Sequence, residues 1–467
     1  MLSSILSASN LIITLLVTLR VNASVVVNGI EYSCDEIITR DFAIIGGGSS
    51  GTYSAIRLKD LGKSVVVIEG QDRLGGHTQT YTDPKTGGTI DYGVVVFHNL
   101  TIVKNYFARL NVSLITESFA TSAVPQYMDF ETGKLVSNYS AANPAAALEI
   151  YYEQMAKYPY VQLGFDLPYP VPDDLLMPFG DFVLKYGLQD LVEIVGEFAQ
   201  GYGDILKQPT LYIFKIFGSD LILNIENGFL TTALHDNSLL YESAAADLGQ
   251  DVVLNSTILA VDRSGSDGAK VVIKTPSGIK LIQSRKLIFT IPPKVENLQG
   301  WDLDTNEASL FGQFSNSGYY TAIIQNSGIP DNLSIDNVSP NTQFNVAPLP
   351  SIYTLSSTGF PDLLSVKLGS ASDLTDVEAK EIIMSSVEKL QLNRTGPNNP
   401  EFAVYSSHTP FALTVPPSAI AGGFYKSLYS LQGERHTWYT GAAFHTHDSS
   451  LLWQFTEALL PNITASC

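Results

Sequence analysis

The apolar positions of this chain change period along its length, and each change predicts an element. Asp41-Phe42-Ala43-Ile44-Ile45 is a short unbroken apolar run of the kind buried in a parallel sheet. A helical stretch follows from about Ser50 to Leu61 and ends at Gly62, where a terminating glycine is expected. Ser64 to Ile68 then reads as a second strand. From about 105 to 225 the chain turns rich in aromatics and proline, with Tyr151, Tyr152, Tyr158, Tyr160, Phe165, Tyr169 and Phe179 close together. Aromatics at this density either line an apolar pocket or fill a core. Leu184, Leu188, Leu191, Val192, Val195 and Phe198 recur at three- and four-residue spacing and predict a helix over 181–199. Strand-like alternation returns over 250–293, and a helix is predicted over 376–391. The last unit, 436–460, reads as strand, tight turn and helix, with Asp448 as N-cap of Ser449–Leu460 and Pro461 as its stop. No internal repeat is present.

Composition adds size and sign. With 467 residues, 45% of them hydrophobic, the chain can fill more core than one domain needs, so two closely packed domains are expected. A net charge of −19 opposes binding to nucleic-acid phosphates or anionic lipid, so neither nucleic acid nor membrane is an expected partner. Leu11 to Leu19 is an apolar run followed by Val21-Asn22-Ala23, which predicts a signal peptide over 1–23 and a secreted or secretory-lumen protein. A signal anchor is the alternative, but the run falls short of the roughly 18–20 apolar residues of a membrane span. Sequons at Asn99, Asn111, Asn138, Asn255, Asn332, Asn337, Asn393 and Asn462 suit that route. Cys34 and Cys467 could bridge the chain ends or both stay free.

The strand–helix junction carries Gly46-Gly47-Gly48-Ser49-Ser50-Gly51, a G-x-G-x-x-G turn. Gly46 makes the tight turn, Gly48 lets the backbone approach a pyrophosphate, and Gly51 allows close helix–strand packing. Ser50 lies in the first helical turn, where free N–H groups and the macrodipole favour an anion. Glu69 closes the second strand, placed to accept hydrogen bonds from an adenosine ribose. Together these predict a bound adenine dinucleotide.

Arg73-Leu74-Gly75-Gly76-His77 comes next and resembles the R-x-G-G element of the flavin-containing amine oxidase superfamily. Asp91-Tyr92-Gly93 resembles that family's D-x-G segment, and Leu254 to Ile258 its adenine-holding strand. Trp438-Tyr439-Thr440-Gly441-Ala442-Ala443 resembles its C-terminal flavin motif. Within the family the likeness is greatest to the fungal β-cyclopiazonate dehydrogenase group. The resemblance implies an α/β (α+β) fold, a two-domain amine-oxidase-type flavoprotein with a Rossmann-like FAD-binding domain. That domain would be assembled from 41–105, 225–299 and 431–467, with a substrate domain from 106–224 and 300–430. FAD would be held by Gly46, Gly48, Ser50, Gly51, Glu69, Gly75, Gly76, His77, Ile258 and Gly441.

The chemistry is less determined. There is no Ser-His-Asp order, zinc spacing or P-loop, and His445 and His447 form at most an incomplete metal pair. The resemblance implies a lysine near Tyr319 to Ile323 that this chain lacks, and no suitable cysteine can tether the flavin. His77 stands where relatives carry arginine, either as an ordinary contact or as a covalent histidyl-flavin. The catalytic base is unassigned. The expected activity is oxidation of a C–N or C–C bond of a small organic substrate, a fungal secondary metabolite, by an oxidase or oxidocyclase. A secreted amine or amino-acid oxidase is the alternative, and a non-catalytic binder on the same fold a second one.

Overall fold

The computed structural model describes residues 23–118, 123–393 and 398–465. The expected leader lies outside these except for Ala23, and Cys467, the anticipated partner of the buried Cys34, lies outside as well. Ala23–Val27 forms an antiparallel hairpin with Ile30–Cys34.

A seven-stranded sheet is assembled from both halves of the chain. Its order is Val252–Val253, Val65–Ile68, Glu36–Ile45, Gly278–Phe289, Ala269–Thr275 and Thr257–Asp262, with Thr437–Tyr439 joining Gly278–Phe289. Phe42 to Ile45 and Val65 to Ile68 are buried throughout, as apolar strands covered on both faces must be. The first strand starts at Glu36, five residues before the apolar run, because Lys280 to Ser284 pair with the alternating segment ahead of it.

An eight-stranded sheet forms the second layer, from Glu401–Ser407 through Ser315–Gln325, Leu364–Ser370, Ser351–Ser357 and Leu333–Asn337 to Val124–Asp129 and Lys134–Leu135. Phe411–Thr414 extends it beside Ser315. Helix Asp376–Lys389 covers one face, close to the predicted span, behind a Thr375/Glu378 capping box.

Two expectations fail, and one open alternative is decided. The helix predicted over 181–199 breaks into Phe179–Tyr186, the turn Gln189–Leu191 and Val192–Phe198, because Gly187 adopts a left-handed φ of 69°. Helix Ser449–Thr464 runs through Pro461 for a further turn. Lys286 Nζ donates to Ile463 O at 2.5 Å and satisfies a carbonyl of that last turn. The aromatic run is core and surface, with none of it on the large cavity: Tyr151, Phe165 and Phe179 are buried, while Tyr169 is 84% exposed.

A buried ionic knot ties the end of strand Thr257–Asp262 to helix Thr305–Phe311. Arg263 binds Asp302 through Nε at 2.8 Å and Glu307 through both terminal nitrogens at 2.7 and 2.8 Å. Tyr439 and Arg435 also donate to Glu307. Removing one partner of such a pair strands a buried charge, at a cost of about 3–5 kcal/mol.

Candidate functional site

Between the sheets lies a cavity of about 1570 Å³. Its floor is formed where parallel strands end. Gly46, Gly48, Ser49 and Ser50 follow Glu36–Ile45, Thr290 to Pro292 follow Gly278–Phe289, and Gly441 to Ala443 follow Thr437–Tyr439. Ligands of open α/β sheets bind outside the carboxyl ends of the strands, as here.

The loop has the shape the dinucleotide pattern requires. Gly46 has a φ of 96°, and a Cβ on Gly51 would stand 1.9 Å from Gly46 O, so this helix–strand approach admits glycine alone. Gly48 is the helix N-cap, with no side chain capping the first turn and no acidic residue in it. The Ser49 and Ser50 hydroxyls are buried without a hydrogen-bond partner. An uncapped helix start with two unsatisfied hydroxyls is what a pyrophosphate would complete, so the residues fit FAD. Glu69 is buried and braces the loop, accepting from Gly47 N at 2.6 Å and Gln71 N at 2.7 Å. Each carboxylate oxygen keeps a lone pair for a ribose hydroxyl.

Gly75 and Gly76, at φ 110° and 53°, wrap over the loop. Arg73 fastens this turn by donating to the carbonyls of Leu74, Gly76 and Thr78 at 2.9–3.1 Å. Gly93 passes so close that a Cβ there would lie 1.9 Å from His77 O. Asp91 turns away from the cavity, accepting from Thr80 Oγ1 and from Asn237 N, and burial raises its carboxyl to about 7. Gly441, at φ 105°, would place a Cβ 2.7 Å from Thr290 O. Of the expected contacts, Gly51 acts through packing and Ile258 sits in the core beside the sheet, off the cavity lining.

His77 lines the cavity in an aromatic stack that the sequence did not foreshadow. Its ring lies parallel to His408 at 4.6 Å and to His447 at 6.2 Å, and His447 stacks on Phe411 at 3.9 Å. Burial, aided by the Arg73 charge, lowers His77 to about 4, and burial with His77 lowers His447 to about 3. Both imidazoles are therefore neutral at pH 7. His408 Nε2 sits 3.2 Å from Gln79 Oε1 and 3.4 Å from Thr321 Oγ1. These rings come from three distant segments, so no local pattern could have joined them. Lys367 is equally hidden: Tyr319 to Ile323 has no lysine, but Lys367 pairs with Thr321 from the next strand and lines the cavity.

His445 and His447 point apart. His447 Nε2 accepts from Ala412 N at 3.0 Å, while His445 Nε2 lies 3.1 Å from Gln162 O. Among the described residues no three His, Cys, Asp or Glu side chains gather as metal ligands. Asp448 caps helix Ser449–Thr464 as expected, accepting from Leu451 N at 2.9 Å, and pairs with His98 Nε2 at 3.0 Å. Burial opposes charge on both, yet each holds the other ionised: His98 is raised and Asp448 lowered.

Residues 50–434 match the model of the flavin containing amine oxidoreductase family. The chain belongs to this family. It is 39% identical to the FAD-dependent oxidoreductase oblC of Cochliobolus heterostrophus, over 94% of each chain. It is 35% identical to the beta-cyclopiazonate dehydrogenase of Aspergillus oryzae, over 94% of this chain and 96% of that one. A CLA-producing fatty acid isomerase from P. acnes shares the fold at a TM-score of 0.74 and 18% identity, covering 91% of this chain and 99% of that one. Putrescine oxidase superposes at a TM-score of 0.66 and 17% identity, covering 92% of this chain and all of that one. The protein is thus an FAD-dependent oxidoreductase with the amine-oxidase-type fold, and the binder reading falls away.

Gly48 supplies a direct check of the loop. Its φ of −71° suits any residue, and a Cβ would only touch Gly76 Cα at 3.8 Å, so the backbone tolerates substitution. The branched side chain of Gly48→Val would instead fill the anion cradle. Purified Gly48→Val is expected to keep its circular dichroism and lose nearly all its flavin absorbance. Full flavin content would show that the loop does not hold the cofactor.

Proposed function

We propose that this oxidoreductase removes a hydride, or its equivalent, from a C–N or C–C bond of a small secondary metabolite. The observation that carries the reading is the cavity: it runs from the dinucleotide loop to the polar face of the second sheet, and its volume of about 1570 Å³ exceeds the roughly 300–1,000 Å³ of a pocket for one small ligand. Fungal relatives at 35–39% identity over nearly the whole chain support the substrate class.

FAD, when bound, supplies the two-electron acceptor. The chain supplies the rest. The Gly46–Gly51 turn and Glu69 fix one end of the cofactor, and Gly441 with the helix start at Asp448 closes the other. Val94 to Phe97 and Ile291 wall the reacting region with apolar groups, which excludes water. Neutral His77, His408 and His447 add polarisable faces without adding charge.

Anaerobic mixing with fungal secondary metabolites is expected to bleach the flavin with one such compound, in a 1:1 stoichiometry. Bleaching by simple amines or amino acids alone would replace this reading with the amine-oxidase alternative.

The finer part of the proposal is that His77 would tether FAD: an N–C bond would replace one C–H bond of the 8α-methyl, the methyl and imidazole hydrogens leaving as protons and the two electrons passing through the flavin itself to oxygen. Among the described residues the His77 side chain has no hydrogen-bond partner, and its neutral state leaves a nitrogen lone pair free. Acid-precipitated wild type is expected to stay yellow and His77→Ala to release its colour. Colour released from wild type leaves His77 as an ordinary contact.

We further place the protein in the secretory lumen or outside the cell. The leader composition supports this, and Asn111, Asn138, Asn332 and Asn462 are exposed. Asn337 is engaged instead, donating to Ile352 O at 2.8 Å and accepting from Phe130 N at 3.2 Å. No described helix is long and apolar enough to cross a membrane. Secreted from a eukaryotic host, the chain is expected to begin near Ser24, with glycans at exposed sequons and none at Asn337 by peptide mass spectrometry. An intact Met1 without glycans would overturn the placement.

A further inference from the structure

Away from the dinucleotide loop, the cavity meets the face of the eight-stranded sheet opposite helix Asp376–Lys389. Strand register builds a polar row across that face. Tyr127 pairs with Asp336, Asp336 with Thr354, Thr354 with Lys367, and Lys367 with Thr321. Directly paired residues project to the same side of a sheet. Their chain neighbours Ile335, Leu355, Val366 and Ala322 project to the other side, into the core under the helix. Helix Val192–Phe198 supplies Glu193 and Glu197 one turn apart, and both line the same cavity as Tyr127, Asp336, Thr354 and Lys367.

Lys367 and Glu197 are opposite charges on one cavity wall, yet they do not meet. Among the described residues neither makes a hydrogen bond or an ion pair. Both feel the cost. Burial, then Asp336 and Glu193, raises the Glu197 carboxyl to about 7. Burial lowers the Lys367 ammonium against the pull of Glu197. Asp336 and Glu193 are raised by burial too, although Tyr139 donates to Glu193 at 3.1 Å. A desolvated cation and a desolvated carboxyl held apart form a slot awaiting a group that satisfies both.

Charge selects that group. A carboxylate ligand would meet Glu193, Glu197 and Asp336, while an ammonium, though drawn to those carboxyls, would set a second cation beside Lys367 and leave Lys367 without an acceptor. We propose that the slot binds the substrate's polar head, a neutral group with a carbonyl acceptor for Lys367 and an adjacent N–H or O–H donor for Glu197, such as a carboxamide or hydroxy-carbonyl. This rests on the reading of the chain as a small-molecule oxidoreductase. The apolar body of the substrate would lie against Val192, Ile205 and Val346, which line the same cavity.

The test uses the flavin-loaded enzyme and three probes with one ring system: 2-naphthamide, 2-naphthoate and protonated 2-naphthylmethylamine. Affinity is read by equilibrium dialysis and by perturbation of the flavin band. 2-Naphthamide is expected to bind tightest to wild type. Lys367→Met and Glu197→Leu each weaken it about tenfold, as loss of a hydrogen bond to an ionisable partner should. Lys367→Arg and Glu197→Gln keep it within about threefold. Where either change impairs folding, Lys367→Leu and Glu197→Ala stand in with the same expected loss. Tighter binding of either charged probe, or unchanged amide affinity in both variants, overturns the slot. The two readings fail separately. A protein that no metabolite bleaches defeats the proposed reaction, whereas one that is bleached while the amide ignores both variants defeats the slot alone.

Discussion

The parallel pairing of Gly278–Phe289 with Glu36–Ile45 is the constraint on which the rest of the molecule depends. It runs from Lys280 beside Glu36 to Phe289 beside Ile45, joining segments some 240 residues apart in the chain. The same central strand forks on its other side. Its first half takes Ala269–Thr275 antiparallel, and Leu287 to Phe289 take Thr437–Tyr439 parallel. Three parallel strands therefore end side by side, and their loops converge. Thr290 joins them directly: its Oγ1 donates to Ile45 O at 2.8 Å and reaches Gly46 O at 3.2 Å, while its carbonyl excludes any Cβ from Gly441. The glycine-rich loop is thus held in place by residues that arrive long after it in the chain. Closing so long a loop costs entropy that only a buried, fully paired strand repays.

That convergence sets the electrostatics. The chain is strongly acidic overall, yet little formal charge stands near the loop. Glu69 is spent on backbone N–H groups, and Arg73 on backbone carbonyls. The imidazoles of His77 and His447 are kept neutral by burial. The one ionised pair, His98 with Asp448, cancels itself at the start of the last helix. A pyrophosphate entering this region meets backbone dipoles and hydroxyls, which cost little to preorganise, in place of a fixed cation. The unbalanced charges lie further along, at Lys367 and the carboxyls opposite it.

The dinucleotide half was legible because its signals are local. Gly46 to Gly51, Glu69 and Gly75-Gly76 each need a particular backbone path within a few residues, and the path writes the residue type. The 376–391 helix was legible for the same reason, through its cap and its period. The failures mark where distant contacts override local rules. Gly187 breaks a helix that leucine spacing alone would continue, and the last helix runs on past Pro461 to a turn that Lys286 from the central sheet holds by its Ile463 carbonyl. The aromatics of 151–179 read equally as pocket or core, since burial is indifferent to which side a ring faces. The stack of His77, His408 and His447 has no sequence signature, because its spacing is set by three loops meeting in space.

The cavity face of the second sheet is illegible for a further reason, which also explains how it can vary. Each strand of the second sheet alternates between two tasks. Ile335, Leu355, Val366 and Ala322 face the helix and carry stability, while Asp336, Thr354 and Lys367 line the cavity. A substitution on the cavity face leaves the packed face untouched, so its cost to folding is small compared with loss of a core side chain. The dinucleotide loop has no such freedom, because a Cβ at Gly51 or Gly93 would collide with backbone at 1.9 Å. The cavity face can therefore change one residue per strand while the glycine-rich loop stays fixed, and no linear motif collects those positions.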